Sequence, residues 1–72
     1  MYGTRIWFAV EITNEAGQRR ATAAWFYSYT SRKEIESRLC KAGEQVTRLA
    51  VCRNMDTAYK TADTWRKSYR AA

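Results

Sequence analysis

Hydrophobic and polar residues alternate along the first part of this chain and later recur at helical spacing, so different segments announce different elements. Over Arg5–Thr13, Ile6, Phe8, Val10 and Ile12 fall on one side of an extended backbone and Arg5, Trp7, Ala9, Glu11 and Thr13 on the other, which is the period-two pattern of a strand. In Asn14-Glu15-Ala16-Gly17, the Asn side chain can cap a turn and the Gly can close it in the left-handed region, the signature of a hairpin loop of three or four residues. Gln18–Thr30 returns as a second strand rich in aromatics. Loop length decides its register. With three loop residues Asn14 opposes Gln18, which sets Trp7 beside Trp25 and Arg5 beside Tyr27; with four, Glu11 opposes Arg20 and Trp7 opposes Ala24. A slip of one residue exchanges which aromatics face out.

Ser31-Arg32-Lys33-Glu34 has the form of a capping box and opens a helix. Ile35 and Leu39, extended by Cys40 and Ala42, give it a narrow apolar stripe, with Lys41 expected in its last turn and Gly43 as its stop. Gln45–Cys52 reads as a short third strand. Asn54 then caps a final helix in which Met55, Ala58, Tyr59, Ala62, Trp65 and Tyr69 share a face, while Asp56 with Lys60 and Asp63 with Lys67 form acid-first i,i+4 pairs opposite. The order β-β-α-β-α predicts an α+β fold: a three-stranded antiparallel sheet in the order 2-1-3 with two helices packed on one face. The other face is expected to meet solvent or a partner. No linker, repeat or biased tract interrupts residues 1–72, which read as a single compact domain.

Composition narrows the function. A chain of 72 residues is too short for a large enclosed cleft. Thirteen Lys+Arg against seven Asp+Glu leave a net charge of +6, which favours acidic partners. The absence of His removes the commonest general base and metal ligand. Cys40 and Cys52 stand apart with no CxxC pair, so no zinc site or dithiol motif is indicated. No apolar run is long enough for a membrane span, and no charged-then-apolar leader opens the chain. These features predict a cytoplasmic protein with both thiols reduced, without cofactor or metal. Asp56 and Asp63 face lysines and Glu34 is a cap, leaving no spare carboxylate pair, nucleophile elbow or glycine-rich phosphate loop. A non-enzymatic binding role is expected.

The candidate surface combines arginines with aromatics. Arg5 and Trp7 from the first strand, Arg20, Trp25 and Tyr27 from the second and Arg48 from the third would share it, joined by Arg66, Lys67 and Arg70 at the end of the last helix. Such a combination stacks unpaired bases while neutralising phosphates. Nine of the thirteen cations are Arg, the residue suited to bidentate phosphate contact. Nucleic acid is therefore the first expected partner. The alternative is an inhibitor or modulator of a larger enzyme that docks on an acidic protein surface through its open sheet or edge. Ala21–Thr30 carries no charge and no Pro; as an edge strand it would lack the usual safeguards against pairing, which points to a homodimer through the second strand.

Overall fold

The computed structural model describes residues 3–70. Its elements run β1 (Arg5–Thr13), β2 (Arg19–Tyr27), α1 (Arg32–Leu39), β3 (Gln45–Cys52) and α2 (Met55–Arg70), with the antiparallel strands in the order β2-β1-β3. The topology and strand order are those the sequence predicts. The loop takes the three-residue form: Asn14 N–H donates to the Gln18 carbonyl at 3.0 Å, and Asn14 Oδ1 accepts from Ala16 and Gln18 N–H. Gly17, at φ +81°, supplies the left-handed residue that returns the chain. Trp7 accordingly lies opposite Trp25, and Arg5 opposite Tyr27.

Both helices begin where their caps predict. Ser31 Oγ accepts from Glu34 N–H at 3.2 Å, and Asn54 Oδ1 from Thr57 N–H at 2.9 Å. Helix α1 ends at Leu39, earlier than the sequence suggests, and Cys40, Lys41 and Ala42 lie outside it. Arg20 accounts for the early stop by donating to the Leu39 carbonyl at 2.9 Å. Glu44 Oε1 meanwhile accepts from Lys41 N–H and holds a turn in which Gly43 adopts φ +84°. Cys40 and Cys52 are free thiols, both half-buried, and burial followed by the nearby Glu36 and Glu44 charges pushes the Cys40 pKa up.

The helices do not share a face. Ile35 of α1 packs with Phe8, Val10, Ile12, Phe26 and Val46, which extends the even-numbered side of β1 into the main core. On the odd-numbered side, Tyr59 of α2 meets Trp7, and Tyr69 of α2 bonds Glu11. The sheet is therefore the middle of three layers, and the predicted one-sided packing is corrected. Side-chain size explains the result. The odd side offers Ala9, Ala21, Ala23 and Ala50, small residues that admit a helix backbone, and α2 presents Ala58 and Ala62, both fully buried, to that groove. Residues Phe8–Ile12 are consecutively buried because β1 is central and covered on both faces.

Strand β3 contains an irregularity opposite Glu11 and Ile12. The extra residue turns both Thr47 and Arg48 towards Glu11 and returns Val46 to the core side, so one short strand serves both layers.

Replacing Ala62 by Leu tests the second layer. On an exposed helix face this change is nearly neutral, whereas in the alanine-lined groove it forces α2 away from the sheet at a cost of about 1–3 kcal/mol. Urea denaturation of A62L should show that loss, and an unchanged midpoint would refute α2 packing on this face.

Candidate functional site

Only part of the predicted Arg/aromatic surface comes together. Helix α2 crosses the odd side so that its later turns reach Glu11, Arg19 and Ala21. The beginning of β1 and the end of β2 remain outside its cover. There the Arg5 guanidinium lies 4.7 Å above the Trp25 ring, Trp25 meets Tyr27 edge-on at 5.2 Å and 82°, and Tyr27 stacks on Tyr29 at 5.4 Å and 11°. Trp7, opposite Trp25, packs at 6.2 Å on Tyr59 and borders the series. Trp25 and Tyr27 are nearly two-fifths exposed, and Tyr29 is 69% exposed.

The sequence positions these rings by strand alternation and one turn. Odd residues of β2 share the side that carries Arg5, and the Ser28–Thr30 turn, in which Thr30 N–H donates to the Tyr27 carbonyl at 2.9 Å, brings Tyr29 alongside Tyr27. Gly3 leaves room for this stack, because a Cβ there would meet the Tyr29 ring at 2.6 Å and the Tyr27 Cβ at 3.1 Å. Across 4–10 and 21–30 the single charge is Arg5, so no carboxylate on these segments opposes an anion.

The remaining predicted residues have other tasks. Arg20 lies on the side of α1, where it pairs with Glu44 at 3.0 Å as well as the Leu39 carbonyl. Arg48 stacks over Trp65 of α2 at 4.9 Å. Arg66 Nε donates to the Ala21 carbonyl at 2.9 Å, and Lys67 pairs with Asp63 at 3.3 Å. Arg70 is exposed at the end of α2. Arg5, Trp7, Trp25 and Tyr27 thus form one surface, whereas Arg20, Arg48 and Arg66 tie elements of the fold together. Tyr29 lies outside the candidate residues and beyond β2, which ends at Tyr27 and not at Thr30 as its pattern predicts; the Ser28–Thr30 turn, not strand alternation, brings its ring to this surface. Phe26, on the opposite side of β2, is core.

A second polar cluster, beneath α2, was not legible from spacing. Glu11 is 5% exposed; its Oε2 accepts from the Tyr69 hydroxyl at 2.6 Å and its Oε1 from Thr47 Oγ1 at 2.8 Å, with Thr13 Oγ1 2.8 Å from Thr47 Oγ1. Burial pushes its pKa up, but hydrogen bonds from Tyr69 and Thr47, with the charges of Arg48 and Arg19, outweigh that and hold it below its ordinary value. Burial, then the bond to Glu11 and its charge, push Tyr69 up to about 12. Arg19 lies 4.6 Å over the Tyr69 ring. Each polar group of this cluster is engaged, which suits a structural fastening.

Shallow depressions occur elsewhere, beside Asn14–Ala16 and Gly43 and beside Lys33, Ser37 and Cys40. Neither coincides with the aromatic surface, whose exposed rings suit planar ligands better than enclosed ones. Among the described residues, no helix is long and apolar enough to cross a membrane. No family model, curated protein or solved structure matches this chain at a significant level.

The Glu11–Tyr69 pair makes stability depend on pH at both extremes. The folded state favours protonated Tyr69, so that contribution is complete below pH 10.0 and is lost as the pH rises towards about 12. Glu11, held ionised, contributes above its ordinary value of 4.5 and loses the contribution as the pH falls through its lowered value. Tyr69→Phe should cost about 2 kcal/mol at neutral pH by removing a hydrogen bond to a buried charge. Thermal melts across the alkaline range should show a shallower decline for Y69F than for the native chain, and an identical decline would contradict this assignment.

Proposed function

We propose that this protein is a non-enzymatic binder of single-stranded nucleic acid, engaging bases and phosphates through Arg5, Trp25, Tyr27 and Tyr29. The observation that carries the reading is the continuous series of an arginine and three aromatic rings on an uncovered sheet end, in a chain of net charge +6. Arg5 shields one face of Trp25, and Tyr27 supports one face of Tyr29, so Tyr29 ends the stack with its other face turned away from Tyr27. A base placed there extends an existing stack, and its backbone phosphates fall under the attraction of Arg5 and the overall positive field. Stacking accepts any base, because each has a π-face, so binding should discriminate little among sequences. The alternative, docking of an acidic protein by strand addition to β2, uses the backbone of the strand and not its rings.

Fluorescence anisotropy with a short unstructured oligonucleotide checks the proposal. Tyr29→Ala should weaken binding by roughly 1–3 kcal/mol if the ring stacks a base, with little loss of stability because the side chain is so exposed. Arg5→Gln should weaken binding across sequences and lower the salt slope by about 1. If Y29A binds within a factor of about two of the native chain while the salt dependence persists, the attraction is that of diffuse positive charge and the platform reading fails.

A further inference from the structure

The outer edge of β2 is closed at both ends and open between them. Ser28 N–H donates to Thr4 and Asn14 N–H to Gln18, so even-numbered residues of β2 direct their backbone groups to β1. Odd-numbered residues direct theirs outward. Of these, the Ala21 carbonyl is taken by Arg66 and the Tyr27 carbonyl by Thr30 N–H. Ala23 and Trp25 lie between, and among the described residues no hydrogen bond engages their outward N–H and C=O groups. The other edge is guarded differently. At Val46 of β3, α1 clasps the backbone, Arg32 donating to the carbonyl and Glu36 accepting from N–H. The rest of β3 is flanked by Arg48 and Arg53.

We propose that β2 pairs antiparallel with β2 of a second copy about a two-fold axis through Ala24, and that each copy thereby adds its Arg66 to the aromatic platform of the other. This rests on the platform reading for its functional consequence, but not for its geometry. The register follows from which edge groups are free. Centred on Ala24, the pairing sets Ala23 opposite the partner copy's Trp25, and each such pair exchanges both of its backbone hydrogen bonds. It therefore satisfies the open groups and stops where Arg66 and Thr30 already occupy the neighbouring carbonyls. Small residues meet large ones on each side of the joined sheet, Ala23 facing Trp25 and Thr22 facing Phe26, while on the axis Ala24 faces its own copy.

Charge selects a second copy at this edge and not at β3. Two chains of +6 repel, and Ala21–Thr30 is a stretch without charge along which they can approach. In this register Ala21 lies opposite the partner copy's Tyr27. Arg66, already fixed at the Ala21 carbonyl, then stands beside that ring. The platform acquires a second arginine from across the axis, so the dimer carries two equivalent platforms, each with a cation from either chain.

Sedimentation equilibrium of the chain at micromolar concentration, free of nucleic acid, tests the pairing and should report twice the 8.4 kDa chain mass. Ala23→Pro removes an outward N–H without breaking a bond to β1, so it should give a monomer with an unchanged circular dichroism spectrum. Should that variant fail to fold, Ala24→Cys in a chain carrying Cys40→Ala and Cys52→Ala decides the register. Directly opposed, non-hydrogen-bonded positions lie about 4.5 Å apart, within disulfide range, so mild oxidation should yield a covalent dimer. A native chain that sediments at 8.4 kDa overturns the proposal, as does a dimer that A23P leaves intact and A24C fails to cross-link. A monomer that still loses oligonucleotide affinity on Tyr29→Ala would overturn the dimer and leave the platform reading in place. A cross-linked dimer with no oligonucleotide affinity would do the reverse.

Discussion

A carboxylate removed from water costs several kcal/mol unless its oxygens find donors, and Glu11 sits in the central strand with 5% of its surface exposed. Tyr69 and Thr47 supply one donor to each oxygen, while Arg48 and Arg19 supply the compensating charge. This requirement couples the last turns of α2 to the middle of the sheet and to the irregularity of β3, the two features that deliver those hydroxyls. The alanines around Glu11 make the coupling sterically feasible. Ala9 on β1 and Ala58 and Ala62 on α2 are fully buried, so helix and sheet approach closely enough for Tyr69 to reach a carboxylate on β1.

The arginines show how a basic chain distributes its charge between holding the fold and offering a surface. Arg20 spans β2, α1 and Glu44, Arg32 holds the edge of β3, and Arg66 holds the edge of β2. Arg19 and Arg48 cover aromatic rings of α2 while lowering the cost of the buried Glu11. A guanidinium suits such work because its planar fork donates in several directions and stacks on rings. Arg5 differs in its setting: it covers a ring of the exposed series, at the end of the sheet that α2 leaves open. The exposed Arg/aromatic surface is thus what remains after α2 has been fixed elsewhere.

The same division governs the sheet edges. Side chains of α1 occupy backbone groups of β3 at Val46, while Arg66 of α2 at the Ala21 carbonyl and Thr30 N–H at the Tyr27 carbonyl limit the free edge of β2 to its central residues. An unmodified strand of this composition would invite pairing in several registers. Local capping by α2 and by the Ser28–Thr30 turn restricts the choice without placing a charge in the strand itself, and it leaves the aromatic side chains of β2 in place.

Sequence alone pointed to the five elements and to the hairpin that pairs β1 with β2, because alternation, the Asn-x-x-Gly loop and the Ser31 and Asn54 caps act over a few residues and are readable at that range. It also pointed to Arg5, Trp7, Trp25 and Tyr27 as companions, through the three-residue loop, although it held a four-residue loop equally open. Only the tertiary structure decided which side of the sheet α2 covers. Periodicity identifies an apolar stripe but not the surface it meets, and a row of alanines reads as neutral until a helix lies in it. The same limit separated Arg20, Arg48 and Arg66 from Arg5. An arginine that caps a carbonyl and one that faces solvent are identical in sequence, and they differ in the partner that a distant segment, up to 45 positions away for Arg66 and Ala21, brings within hydrogen-bonding distance.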